Sequence, residues 1–187
     1  MSVITHRSDA KGAKKLHNRH EHHSMLVIGI GNTYRFDDAV GLHIAQHIRK
    51  ISLVHVAVIE QSGDGAAVME SWKDANTVIL IDAVSSGGKP GTIYQFDAHK
   101  QSIPAEFFHY STHAFGVAEA IELARALRQL PPHLIVYGIE GKSFEAGVGL
   151  SPDVEKAAQE VVERIKQDMK DNSSQNSIEI KKSLNNP

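Results

Sequence analysis

Three residues whose side chains could bind a metal ion or transfer protons lie at the ends of predicted secondary structure elements. Asp38 follows the first predicted strand, Asp82 directly follows a later one, and His113 directly precedes a predicted helix. Two carboxylates and one imidazole suit either a hard-to-borderline metal ion or acid–base catalysis of hydrolysis. Each residue also has a structural interpretation, since Asp38 could cap a helix, Asp82 could cap a turn and His113 could lie on the surface.

The segment around Asp38, GIGNTYRFDDAVG, has the glycine content of a phosphate-binding loop. A dinucleotide-binding fingerprint requires Gly-x-Gly-x-x-Gly, but Tyr34 stands where the third glycine is needed after Gly29 and Gly31. A phosphate group at the start of the following helix would also meet Asp37 and Asp38, which repel an anion. The loop is therefore predicted to present a carboxylate rather than to bind a nucleotide cofactor.

Two further motifs are incomplete. The segment GIEGKS has the Gly-Lys-Ser end of a phosphate-binding loop, but Val136 stands in place of its first glycine. The segment HEHHS has Ser24 where the helix of a zinc protease needs its second histidine. Because the chain has no cysteine, disulfides, thiolate nucleophiles and Cys-ligated metal sites are excluded.

Apolar residues recur alternately at the periods of strands and helices along the chain. Strands are predicted over residues 25–28, 53–59, 77–81, 92–96 and 133–139, and helices over residues 40–51, 66–72, 117–128 and from 152 onwards. The third strand is predicted to stop at Asp82, Leu127 to lie on the apolar side of its helix, and Ser151 to cap the last helix. The alternation favours an α/β fold, a three-layer sandwich in which helices cover both faces of a mostly parallel, twisted sheet of about five strands. In such sheets, functional groups gather beyond the carboxyl ends of the strands.

The composition is that of a single globular domain. The 187 residues are 41% hydrophobic and 22% charged, with a formal net charge of -2, which gives no basic surface for nucleic acid. No apolar run approaches the roughly 20 residues that span a membrane, and the polar N-terminus has no apolar signal segment, so we expect a cytoplasmic protein. We expect a disordered histidine-rich tail at residues 1–24, one domain at residues 25–167 and a disordered polar tail at residues 168–187.

Four segments occur in an order and spacing that resemble the hydrogenase maturation endopeptidases. They are VIGIGNTYRFDDAVG, VILIDAVSSGGKPGTIYQF, STHAFGVAEAIELARAL and GVGLSPDV. The resemblance covers nearly the whole predicted domain. It implies a monomeric endopeptidase that removes a C-terminal extension from the large-subunit precursor of a nickel-iron hydrogenase after nickel has been inserted.

The resemblance also implies roles for individual residues. The metal-contacting residues of the family fall on Asp38, Asp82 and His113, which would contact the nickel that the substrate carries. Many relatives have glutamate at the first of these positions. A larger departure lies in EQSGDGAAVMESW, where many relatives have an Asp-Gly-Gly-Thr type of segment linked to substrate choice, so the partner hydrogenase is left open.

The sequence leaves several alternatives open. Hydrolysis could use nickel as a Lewis acid or an aspartate as general base, and Asp37 is an additional carboxylate beside Asp38. A non-catalytic protein for nickel delivery or docking would use the same three residues without shortening the precursor. A small-molecule α/β hydrolase would act without precursor or nickel.

Overall fold

The computed structural model describes residues 25–51, 56–104, 107 and 115–184, with side-chain positions up to residue 170. The strands and helices follow one another in the predicted order. A short helical turn, Phe36–Ala39, connects the first strand to the first helix. The strands are β1 (Met25–Ile30), β2 (Val56–Gln61), β3 (Thr77–Val84), β4 (Ile93–Asp97) and β5 (His133–Glu140), and the helices are α1 (Val40–Ile51), α2 (Gly65–Ser71), α3 (Val117–Ala126) and α4 (Pro152–Leu184).

The five strands form one sheet in the order β2-β1-β3-β5-β4. The four strands β2, β1, β3 and β5 are parallel, and β4 pairs antiparallel with β5 at one edge. The carboxyl ends of β1, β3 and β5 therefore meet at the same edge of the sheet. The predicted α/β sandwich with a mostly parallel, five-stranded sheet is confirmed.

Helices cover both faces of this sheet because successive strand residues point to opposite sides. In β1, Val27 packs in the layer with α1 and α4, whereas Ile28 packs in the layer with α2 and α3. Both side chains are fully buried. Strands that are buried on both faces read as continuous apolar runs, which explains why β1, β3 and β5 are the clearest strand signals in the sequence.

Strand β3 continues three residues beyond its predicted end. Asp82 pairs with Gly138 and Val84 pairs with Glu140, so the hydrogen-bonded ladder with β5 runs on after the apolar segment has ended. On the other side of β3, the pairing with β1 ends at Ile81. Asp82 therefore lies within a strand, and the prediction that it follows the strand is wrong. Its neighbour on the β1 side is the loop that carries Asp38.

Helix α3 ends at Ala126, two residues before its predicted end. Arg128 has a left-handed φ of 56°, and the backbone N–H of Gln129 donates to the carbonyl of Ala124 at 2.8 Å. This geometry ends a helix, since the chain turns away from its axis. Leu127 is 53% exposed, so the prediction that it lies on the apolar side of the helix is wrong.

Helix α4 is longer than predicted. Its backbone is helical to Leu184, although the polar composition of residues 168–187 predicts disorder. Residues 153–184 contain no glycine or proline, which is compatible with an uninterrupted helix. Met169 is buried and packs in the same layer as Ile165, so α4 contributes to the core up to this residue.

The predicted tail at residues 1–24 lies outside the described residues. Among the described helices, none combines the length and the hydropathy needed to cross a membrane.

Candidate active site

Asp37 is fully buried at the carboxyl edge of the sheet, where it binds the loop between β5 and α4. Its Oδ2 accepts hydrogen bonds from the backbone N–H groups of Lys142 at 2.8 Å and Ser143 at 3.0 Å. Ser151 donates its backbone N–H to Oδ1 at 2.7 Å and its hydroxyl to Oδ2 at 3.0 Å. Asp37 is therefore a structural residue, and the GIEGKS segment binds this internal carboxylate. The Ser151 hydroxyl, expected to cap α4, donates to Asp37.

The loop that follows β1 has a compact backbone that depends on Gly31. This residue has a φ of 145°, and a Cβ atom added to it would lie 1.8 Å from the carbonyl oxygen of Asp38. Phe36 has a left-handed φ of 40°, and its backbone N–H donates to the carbonyl of Gly147 at 3.1 Å. A left-handed phenylalanine is strained, and it persists only where neighbouring contacts hold it. The bonds of Asp37 and Phe36 to the loop after β5 supply those contacts.

Asp82 is a buried carboxyl beside Asp38. Its side chain is 7% exposed, and its Oδ1 accepts a hydrogen bond from the backbone N–H of Ala83 at 2.8 Å. Burial raises the pKa of Asp82 well above its ordinary value, and the nearby negative charge of Asp38 raises it further, while the Ala83 N–H opposes both effects. The structure thus brings together the two carboxylates that the sequence predicts as site residues.

Asp38 is half-buried and is the more easily ionised of the pair. Burial raises the pKa of Asp38, whereas the positive charge of Arg35 and a hydrogen bond from the backbone N–H of Asn32 lower it. The Arg35 side chain is held in place by donating to the carbonyl of Phe144 from Nε at 3.1 Å and from a terminal nitrogen at 3.0 Å. Two adjacent carboxyl groups with raised pKa values can share a proton or bind a cation, which relieves their repulsion.

His113 lies outside the described residues. The described residues on either side of it are attached near the same sheet edge. The carbonyl of Phe107 accepts from the N–H of Ser85, directly after β3, at 3.1 Å, and the carbonyl of Phe115 accepts from the N–H of Gly65 at 3.0 Å. The role of His113 therefore stays a prediction. Within the described ranges, no three His, Asp or Glu side chains are grouped as a metal site.

Comparison with known proteins identifies the family. A model of the family described as hydrogenase maturation protease matches residues 42–168. The chain belongs to this family. The hydrogenase 2 maturation protease of Escherichia coli K12 is 26% identical over 145 residues, which cover 75% of this chain and 87% of that protein. The resemblance found in the sequence is thereby confirmed.

Solved structures support the same assignment. A solution structure of an endopeptidase from Escherichia coli matches with a TM-score of 0.65 and 27% identity, covering 75% of this chain and 88% of the other. The hydrogenase-maturating endopeptidase HybD from Escherichia coli has the same fold, with a TM-score of 0.66 at 24% identity over 79% of this chain and 93% of the other. The fold of this chain is therefore that of these two endopeptidases.

One residue of the segment EQSGDGAAVMESW has a local structural role. The Oδ1 atom of Asp64 accepts a hydrogen bond from the backbone N–H of Ala67 at 2.9 Å, which caps α2. The N–H of Gly65, the first residue of α2, is the donor to Phe115 described above. Asp64 therefore fixes the start of α2, where Gly65 contacts Phe115.

Glu140 is a buried carboxylate that the sequence analysis did not identify. It is 2% exposed and accepts hydrogen bonds from the backbone N–H groups of Ser86 at 2.9 Å and Gly88 at 3.0 Å, and from the Ser86 hydroxyl at 2.6 Å. These bonds fix the loop that follows β3. A carboxylate that directly follows an apolar run, as Asp82 also does, is the sequence signal that could have indicated it.

Replacing Gly31 with alanine is expected to destabilise the protein. The new methyl group would overlap the carbonyl of Asp38, and the positive φ adds strain, so we expect the free energy of unfolding to fall by roughly 1–3 kcal/mol. Gly87→Ala is the matched control, because Gly87 also has a positive φ but its Cβ would have open space. Thermal unfolding of both variants is the measurement, and equal losses would contradict a specific clash at Gly31.

Proposed function

We propose that this protein is an endopeptidase that removes the C-terminal extension from the large-subunit precursor of a nickel-iron hydrogenase after nickel insertion. The observation that carries this proposal is the proximity of Asp38, in the turn Phe36–Ala39, to the buried Asp82 in β3, whose pKa the charge of Asp38 raises. Membership of the hydrogenase maturation protease family supports both the hydrolytic activity and the class of substrate.

Asp38, Asp82 and His113 contact the nickel that the precursor carries, so the metal is part of the substrate. The raised pKa values of Asp38 and Asp82 reflect burial, and for Asp82 also the negative charge of its neighbour. A divalent cation between them reverses this effect, because it favours the ionised form of each carboxyl and displaces bound protons. Only a nickel-loaded precursor then gains this interaction, which makes the metal the recognition element.

Hydrolysis adds water across one peptide bond of the precursor. The water oxygen bonds to the carbonyl carbon, the bond to nitrogen breaks, and one water proton passes to the leaving amine. Two routes are compatible with the carboxylate pair. In one, an aspartate accepts the water proton as general base, and in the other the nickel polarises the carbonyl. Both routes need an ionised carboxylate beside the scissile bond.

The intact mass of a hydrogenase large-subunit precursor is the test. We expect the full-length protein to shorten a nickel-loaded precursor by a C-terminal fragment and to leave the nickel-free precursor unchanged. Asp38→Ala should abolish the shortening. Asp74→Ala is the matched control, because Asp74 is exposed and lies near the start of β3, at the opposite edge of the sheet.

The other outcomes discriminate between classes of protein. An unchanged mass with the cognate, nickel-loaded precursor would contradict the endopeptidase and favour nickel delivery or docking. Cleavage that is independent of nickel would retain the protease but refute metal recognition. Turnover of small esters or amides that survives Asp38→Ala would favour a general hydrolase acting through other residues.

A further inference from the structure

A second group of metal-ligating side chains lies between helices α1 and α4, outside the carboxylate pair. A cavity of about 340 Å³ is lined by residues of both helices at this point. Its floor includes Ala158 and Val162, which are 2% and 6% exposed. Its rim is polar and includes His43, His47, Glu155 and Glu163.

The two histidines are placed to act together. His43 and His47 are four residues apart on α1, so they lie on the same face of the helix, and their ring centroids are 6.2 Å apart. Histidines at this spacing bind zinc together in metalloprotease helices. Both side chains are exposed on the described surface, so solvent ions can reach them.

Helix α4 contributes a carboxylate to the same place. Glu155 Oε1 lies 3.6 Å from His43 Nε2, a separation at which the two atoms can bind one ion. Glu155 is in the first turn of α4, more than 100 residues from His43 in sequence. Imidazole nitrogen and carboxylate oxygen together are the ligands that borderline divalent ions such as Zn²⁺ and Ni²⁺ accept.

We propose that His43, His47 and Glu155 form a binding site for a divalent transition metal ion that links α1 to α4. Among the described residues, no three such side chains already surround one point. Binding therefore requires His47 to turn towards His43 and Glu155, which its exposed position allows. The remaining coordination positions are filled by water, since the cavity is open to solvent.

The expected consequence is metal-dependent stabilisation of the folded protein. An ion held by two helices that are distant in sequence binds the native state more tightly than the unfolded chain. Helix α1 begins two residues after Asp38, and Gly41 in its first turn packs against the backbone carbonyls of Ile30 in β1 and Ile81 in β3. A metal link to α4 would therefore stabilise the element next to the carboxylate pair.

Thermal unfolding of the full-length protein in EDTA, Zn²⁺ or Ni²⁺ tests this site. The chain has other histidines, including five in residues 1–24, whose imidazoles are also potential metal ligands, so the comparison is between variants that share them. His47→Ala removes one proposed ligand. His133→Ala is the matched control, because it removes an exposed histidine far from the cavity and lowers the histidine content of the unfolded chain equally.

We expect the metal-induced change in Tm to be at least about 4 °C more positive for the wild type and His133→Ala than for His47→Ala, at metal concentrations well above Kd. Glu155→Gln should reduce the change as well. Equal changes in the wild type and His47→Ala would overturn the proposal, whether the metal raises or lowers Tm. In EDTA, the Tm values of His47→Ala and His133→Ala should lie close to that of the wild type, because both substitutions are at exposed positions. A smaller metal effect in His47→Ala then reports the loss of a metal-binding side chain and not a damaged fold.

Discussion

Replacing Asp82 with asparagine is expected to abolish cleavage of the nickel-loaded precursor while making the protein more stable at neutral pH. Asparagine has nearly the same shape and keeps an oxygen for the N–H of Ala83, but it has no negative charge to offer to a metal or a proton. Loss of a group that acts in acid–base or metal chemistry lowers the rate by at least about 100-fold. Stability should change in the opposite direction because the pKa of Asp82 is raised in the folded protein.

The sign of the stability change follows from proton linkage. The unfolded chain ionises Asp82 near the ordinary pKa of 3.8, whereas the folded protein keeps the proton to a higher pH. Between these two values the folded state binds more protons, so the free energy of unfolding falls as pH rises through this window. Above the raised pKa the loss is complete and constant. Asp82→Asn removes this loss, so the variant gains most over the wild type at neutral pH.

Denaturant unfolding of the wild type and Asp82→Asn at about pH 4 and at neutral pH measures this difference. Asp97→Asn is the control, since the Lys100 side chain and the backbone N–H of His99 lower the pKa of Asp97. The linkage at Asp97 has the opposite sign, so its replacement should bring no gain at neutral pH. A wild type whose stability relative to Asp82→Asn is the same at both pH values would refute the raised pKa.

Lost activity together with gained stability would show that the ionised Asp82 side chain, which the site needs, lowers the free energy of unfolding. Two carboxyl groups are placed where burial and mutual repulsion disfavour their ionised forms. Such strain is common at functional sites, because a group that is already satisfied by its own protein gains little from a ligand. A cation presented by the precursor supplies the missing partner.

The sequence predicts the layers of this fold more reliably than the ends of its elements. In buried strands and amphipathic helices, apolar residues recur at characteristic periods. These periods predict the order of the strands and helices correctly. The end of β3 was missed because Asp82 interrupts the apolar run, while the hydrogen bonds to β5 continue regardless of side-chain polarity. The end of α3 was missed because nothing in the local pattern marks Arg128 as left-handed.

In the candidate site, too, the sequence predicts part of the arrangement, and contacts between distant residues decide the rest. The proximity of Asp38 and Asp82 was predicted from a topological rule, because the ends of neighbouring parallel strands meet at one edge. The different roles of Asp37 and Asp38 could not be predicted, since both residues have the same type and the same local sequence. The distinction comes from the loop after β5, which is more than 100 residues away in sequence. Its backbone N–H groups donate hydrogen bonds to the Asp37 carboxylate and not to Asp38.

That distinction makes Asp37→Asn the second substitution for which we expect a large effect. The Oδ2 atom of Asp37 accepts from Lys142, Ser143 and the Ser151 hydroxyl, and Oδ1 accepts from the Ser151 N–H. An asparagine that keeps its oxygen at the Oδ2 position directs its NH₂ group at the Ser151 N–H, so two donors face each other. The opposite rotamer is worse, because the NH₂ group then faces the backbone N–H groups of Lys142 and Ser143, which can only donate.

The expected loss in the free energy of unfolding is about 3 kcal/mol. One buried donor left without an acceptor costs about 1–3 kcal/mol, and the three remaining bonds lose the strengthening that a charged acceptor gives them. The loop after β5 would then no longer hold Phe36 in its strained conformation, and Asp38, two residues further along the chain, would lose its position beside Asp82. Precursor cleavage should therefore fall at least about tenfold even at temperatures where the variant is folded.

Asp64→Asn is the matched control for this prediction. It makes the same chemical change at a carboxylate that also accepts a backbone N–H, but at the start of α2, where asparagine caps a helix about as well as aspartate. Its free energy of unfolding should lie within about 0.5 kcal/mol of the wild type. Chemical denaturation of the two variants gives the comparison. If Asp37→Asn proved as stable as Asp64→Asn, the buried hydrogen bonds of Asp37 would not be what holds the loop after β5. The assignment of a structural role to Asp37, rather than to Asp38, would then be wrong.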